Sequence, residues 1–320
     1  MEISEKVENL YHYCSMPKMA NIIRSKQLWM SDISKSNDYE EMQLLIPDIY
    51  YEVEKLYYNT PFSFEYNGVK GIKAIQAILK GVDSQMYRDF SKGGVTSYVS
   101  CFCEDGDDLN LWRGYADDGK GCAIGFSLDA LQDFCRKHNG IIKLVKVRYC
   151  SNKTINKLIT QNAKTLYKTI KELKNNAENY IKGKKPELLE VFMYILLHDK
   201  VENILCESLK YKKECFRSEK EWRLYIQKPT KVADLLFQES EEVMLMRKFD
   251  KTLDFMYKKI VIKETEDDLI TYFPIELSED YINTIICGPK NKMNQMDFNL
   301  FMSKYGYSNV KMNRSNISYR

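Results

Sequence analysis

Glu219 and Glu221 stand two residues apart in the stretch FRSEKEWRLYI (residues 216–226), between Arg217 and Arg223. Side chains alternate between the two faces of a β-strand. Read as a strand, the stretch puts Arg217, Glu219, Glu221, Arg223 and Tyr225 on one face and Phe216, Trp222, Leu224 and Ile226 on the other. Two carboxylates at i and i+2 lie roughly 7 Å apart, close enough to share a ligand or to raise one pKa. The flanking arginines would keep both carboxylates ionised and can meet phosphate. The plainer reading is a solvated strand face whose ion pairs contribute about 0–1 kcal/mol each.

An ionised carboxylate on a cleft wall is what cleavage of a glycosidic bond through an oxocarbenium-like centre requires. It stabilises the developing positive charge and holds a ribose hydroxyl. The reaction also needs a polar donor for ribose or diphosphate and an aromatic ring to stack the leaving base. His12 fits the first need, and Tyr13, Trp112 or Tyr115 the second. Each has a structural alternative. A histidine between two tyrosines is commonly a half-buried structural residue, and Trp112 with Tyr115, at i and i+3, forms a core-facing helical pair. Other chemistries lack their signatures. No G-x-S-x-G, P-loop or G-x-G-x-x-G occurs. Cys101-x-Cys103 has no partner pair at zinc spacing, so no metal is expected. Glu219-Lys220-Glu221 lacks the E-x-K order of a metal-dependent nuclease, which ranks that reading last.

The elements that must position these residues mix without regular β-α-β alternation, which favours an α+β fold with a mixed central sheet. Alternating apolar residues predict strands at 8–14, 96–105, 121–128, 141–150 and 216–226, with three more within 258–290. Helical periodicity predicts short helices ending near Ser25, over IKAIQAILKGV, DDLNLWRGYADDGKG and DALQDFCRKH, a longer one over EEMQLLIPDIYYEVEKLYY, and a last one over NQMDFNLFMSKYG. The whole chain, 1–320, reads as a single domain, with 151–210 a helical insertion. From 152 to 185 it carries nine Lys and two Glu with no Arg or Asp, and a helix follows from Pro186. That run is commonly a solvated helix face; the sharper reading is a platform for a nucleic acid or another polyanion. The net charge of +3 is too small to mark the whole protein as a nucleic-acid binder. The longest apolar run, VFMYILL, falls far short of the ~20 residues of a membrane span. A start charged from the second residue and an odd count of nine Cys predict a cytoplasmic protein with reduced thiols and no membrane partner.

Taken together, LYHYCSM, LWMSDISKSNDYEE, SYVSCFCEDGDDLNLWRGYADDGKGCAIGFSL, LKYKKECFRSEKEWRLY and INTIICGPK resemble the bacterial family catalogued as domain of unknown function 2971, over about residues 9–310. The sequence departs from the usual pattern at Phe216, where the family shows Trp, and at Ser36-Asn37-Asp38-Tyr39, where it shows Phe-Asn-Asp-Pro. The order of elements is similar to that of ADP-ribosyltransferases. This resemblance implies an NAD-consuming enzyme that cleaves the nicotinamide–ribose bond and passes ADP-ribose to a protein, a nucleic acid or water, in a toxin or phage-defence setting. NAD would be its substrate. It implies that His12 binds the ribose or diphosphate, that Ser100 matches the second-strand element, that Glu221 is the catalytic glutamate, and that Glu219 is its E-x-E partner. SYVSCF is only a loose equivalent of the expected Ser-Thr-Ser. On this reading Glu221→Gln abolishes activity and leaves the fold intact. The rival function is a non-catalytic module that binds a nucleotide or nucleic acid.

Overall fold

The central sheet forks at one strand, and that fork decides which side chains meet. The computed structural model describes residues 7–32, 45–91, 98–138, 142–180, 189–226, 259–264 and 269–319. Its ten-stranded sheet runs β11 (Val261–Glu264), β12 (Leu269–Glu276), β2 (Gln27–Asp32), β5 (Tyr98–Cys103), β1 (Asn9–Cys14), β6 (Cys122–Ser127), β13 (Ile282–Cys287), β14 (Lys311–Arg314). One edge of β5 pairs along its whole length with β10 (Glu221–Ile226), which pairs onward with β7 (Ile142–Lys146). The other edge of β5 is shared. β2 holds it at Tyr98 and Val99, and β1 holds it at Cys103. Within this sheet all pairs are antiparallel except β13 with β14, so the sheet is mixed and the fold is α+β.

Strand parity sets two faces. Leu10, Cys14, Phe102, Ile124, Phe126, Leu224 and Ile226 point into the main core, which α1 (Met16–Ser25), α5 (Leu128–Lys137) and α8 (Gln295–Lys304) cover. Helix α1 buries Met19, Ile22 and Ile23, the i, i+3, i+4 stripe expected of an amphipathic helix. The opposite face carries Tyr11, Tyr13, Cys103, Glu221 and Arg223, with Tyr11, Cys103 and Glu221 in one cross-strand row. Helix α4 (Leu109–Tyr115) packs there through Leu111 and Trp112. The Asp108 carboxylate caps it by accepting from Asn110 and Leu111 N–H.

A second core lies among helices alone. Helix α6 (Asn152–Tyr180) buries Ile159, Ala163, Leu166, Ile170, Leu173 and Ala177. These pack with α7 (Leu189–Ser208), α2 (Leu45–Asn59) and α3 (Ile72–Ser91). The block 151–210 therefore does not stand alone; it shares its core with two helices from early in the chain. A hairpin of β3 (Glu65–Tyr66) and β4 (Val69–Lys70) links those two. The block enters and leaves through a separate parallel pair, β8 (Arg148–Cys150) and β9 (Tyr211–Lys213). The polar run 31–41, expected as a loop, is strand at its start, because Ser31 and Asp32 pair with β5 as the end of β2; its remainder, the start of the helix at 40–44 and the Pro186 helix start lie outside the described residues.

Two expected strands are broken. The run 141–150 divides at Val147 into β7 and β8, which belong to different sheets. The run 216–226 is not one strand either. Residues Glu214–Glu219 form a 3-10 turn, Lys220 takes a left-handed backbone (φ 43), and the strand begins at Glu221. A 3-10 turn stacks side chains i and i+3, which sets Arg217 on Glu214 as an ion pair. Arg217 and Glu219 therefore do not share a strand face with Glu221 and Arg223.

Among the described residues, no helix is long and apolar enough to cross a membrane.

Candidate functional site

Glu221 sits where three elements converge on the first residue of β10. Its backbone N–H donates to the Tyr149 hydroxyl on β8 at 2.7 Å. Arg223, two residues along on the same face, donates from Nε to Glu221 Oε1 at 2.7 Å and from Nη2 to Oε2 at 3.3 Å. Arg223 Nη1 also reaches the Leu209 carbonyl at 3.1 Å. Lys212, on β9, brings its ammonium to Glu221 Oε2 at 3.3 Å and to Glu219 Oε2 at 2.7 Å. The Tyr115 hydroxyl donates to Glu219 Oε1 at 3.4 Å.

Arg223, Glu221, Lys212 and Glu219 thus form a chain of alternating charge, ended by the Tyr115 hydroxyl, that climbs from the interior to the surface. The side chains of Arg223, Glu221 and Lys212 are 2%, 4% and 2% exposed, that of Glu219 is 16% exposed, and Tyr115 is 53% exposed. Burial by itself pushes the Glu221 carboxyl up. Arg223, then Lys212, outweigh it and hold the group below its ordinary value. Burial raises the Tyr149 phenol to about 12, so it stays protonated while its oxygen accepts from Glu221. The Cys103 thiol, beside both acids, is pushed far up by burial and by their charge, which removes it as a nucleophile at neutral pH.

The residues expected from sequence divide between the two sides of the sheet. His12 lies on the face opposite Glu221, with Nδ1 2.9 Å from the Cys101 carbonyl and its ring 5.8 Å from Phe102. Burial lowers its pKa, so it is neutral at pH 7. Ser100 pairs with Leu224 on that same opposite face, buried. A single cleft lined by His12, Ser100 and Glu221 is therefore not the arrangement of this structure. Strand parity explains it: Tyr11, not His12, shares the row of Glu221.

Tyr13 and Trp112 are on the Glu221 side but are built into the structure. Trp112 is fully buried, donates its Nε1 to Asp107 at 2.7 Å and packs edge-on against Tyr13. The Tyr13 hydroxyl donates to the Asp105 carbonyl and accepts from Asp108 N–H. Neither ring presents a free face for a base. Tyr115 is the exposed aromatic, and it stands beside Glu219. Arg217 remains at the rim, 5.8 Å from the Tyr149 ring.

Lys212, Tyr149 and the Leu209 carbonyl were not expected. Lys212 is 4% exposed, yet it stands in the run KYKKEC, where nothing in the pattern separates it from its exposed neighbour Lys213. It reaches the acids through the β8–β9 pairing, which spans the whole helical insertion and leaves no local signal. Among the described residues, no His, Cys, Asp and Glu side chains gather as a metal site.

Residues 111–224 match the model of a family described as Protein of unknown function (DUF2971). The matched stretch holds Trp112, Tyr115, Lys212, Glu219, Glu221 and Arg223, the charged chain in full, and leaves out His12, Tyr13 and Ser100. No curated protein and no solved structure matches the chain.

Proposed function

We propose that this protein is an NAD-consuming enzyme of the ADP-ribosyltransferase type, with Glu219 rather than Glu221 as the working carboxylate. The observation that carries this reading is the pairing of a partly exposed, Lys212-bound Glu219 with the exposed Tyr115. Together they offer an anionic oxygen and an aromatic face at one point of the surface, where an oxocarbenium-like ribose and a departing nicotinamide would need them. Glu221 is the inner anchor. Both its oxygens are engaged, and it sets the position of Lys212.

In the proposed step the C1′–N bond of NAD breaks, and nicotinamide leaves with the electron pair, which neutralises its ring. A hydroxyl of the acceptor, or water, forms the new C1′–O bond. Its proton passes to Glu219 or to solvent. The test is nicotinamide release from NAD by the purified protein, with and without cell extract. Glu219→Gln should lower release by about 10²–10³-fold, the usual cost of removing one charge-stabilising group, and Tyr115→Ala should raise KM. Equal release by wild type and Glu219→Gln, or none from folded wild type with extract, would overturn the reading.

A further inference from the structure

On the far side of the 214–220 turn lies an open groove of about 810 Å3, walled by β7 and β8 on one side and by the turn on the other. Lys146, Arg148, Lys210, Arg217 and Lys220 line it against a single acid, Glu104. Three of these cations have partners: Lys146 with Glu104, Lys210 with Glu207, Arg217 with Glu214. Arg148 and Lys220 are exposed and have no ion pair among the described residues. They stand on opposite walls. The left-handed backbone at Lys220 fixes where one of them starts.

We propose that this groove docks a nucleic-acid strand through its phosphodiester backbone. Its cationic lining and its openness suit a chain that passes through better than a small molecule that must be enclosed. Anions repeated along a strand meet cations on both walls. The groove's one aromatic, Tyr149, has its hydroxyl bound to Glu221 N–H and its ring beside Arg217. It offers no free stacking platform, so contact is with phosphates, and the binding tolerates any sequence.

The lysine-rich helix α6 is the weaker place for a polyanion. Its lysines are spread over ~30 Å of helix, and two of them pair with glutamates four residues on, Lys168 with Glu172 and Lys174 with Glu178. The inference does not depend on the NAD reading; it needs only the groove.

The experiment is fluorescence anisotropy of labelled single-stranded DNA and RNA across a salt series. The wild type is compared with Arg148→Gln/Lys220→Asn and, as a control on α6, with Lys153→Gln/Lys157→Gln. Asn is chosen at 220 because it accepts a left-handed backbone. Wild-type affinity should fall linearly in log salt, by about 0.7 per phosphate neutralised. The groove variant should bind about tenfold more weakly, with a slope shallower by about 1.4, while the α6 variant stays within about twofold of wild type. If the double variant melts early, Arg148→Gln alone should shift affinity the same way by a smaller factor. The proposal is overturned by absence of binding at low salt, by loss in the α6 variant but not in the groove variant, or by displacement with polyglutamate as readily as with unlabelled strand.

Discussion

Glu221→Gln removes the charge that Arg223 grips through two nitrogens and that Lys212 shares. Both cations stay behind in the interior, their side chains 2% exposed. Breaking a buried ion pair from one side costs about 3–5 kcal/mol, because the remaining charge is left without compensation. Lys212 keeps Glu219, so the loss falls mainly on Arg223, and about 3–4 kcal/mol is expected. Glu219→Gln is the matched control. Lys212 then keeps Glu221, and the lost carboxylate is closer to solvent, so about 1 kcal/mol is expected. Urea unfolding at neutral pH reads both, with the slope m checked for constancy. By thermal melting the pair should separate at roughly 4–6 °C against 1–2 °C below wild type. A double variant, Glu221→Gln with Arg223→Met, should recover part of the loss, since neither charge is then stranded. Equal, small effects at 219 and 221 would refute the claim that Glu221 is the inner anchor. The expectation that Glu221→Gln spares the fold is thereby reversed, and loss of activity in that variant alone would not identify a catalytic group.

The depressed pKa of Glu221 has a pH signature. A carboxylate whose folded value lies below its unfolded value contributes stability above about pH 4.3, and that stability is lost as pH falls through the folded value. The stability gap between wild type and Glu221→Gln should thus be flat from pH 7 to about 5 and shrink below about 4; a gap that grows on acidification would contradict the assigned ion pairs. Gly121→Ala tests the packing of β6. A Cβ there would stand 2.2 Å from the Cys14 carbonyl oxygen and 2.9 Å from that of Ala116, both backbone atoms that cannot step aside. A loss of about 3 kcal/mol in urea unfolding is expected, and a loss under about 1 kcal/mol would mean that this junction relaxes.

Much of the sheet was readable because period-two alternation survives wherever one face is a core. LITYFPIE shows this, with Phe273 and Ile275 buried and the residues beside them less so, and it is a strand. The amphipathic stripe of α1 was readable for the same reason. The alternation misled at FRSEKEWRLYI. Charges at every second position mimic a strand face, but residues 214–219 bury nothing, so no core holds them extended. From Glu221 onward the same alternation is real, because Leu224 and Ile226 have a core to enter. The acid pair was recognisable as a pair, but its chemistry was not. Whether a carboxylate is free or locked depends on Lys212, which approaches from a strand paired only after a 60-residue excursion. His12 and Ser100 failed as partners of Glu221 on parity alone. A one-residue offset moves a side chain to the other side of a sheet, and registers between distant strands are not written in local pattern.

Lys212 stands on the strand by which the helical block returns to the sheet. Its ammonium is therefore attached to the block by four residues of backbone after Ser208, while the carboxylates it holds together belong to the sheet and its turn. The charge balance at this end of β10 is therefore set by a residue that belongs to the helical block. Without that ammonium the two acids would face each other with no cation between them, and Glu219, the more exposed of the pair, is the one with room to turn away.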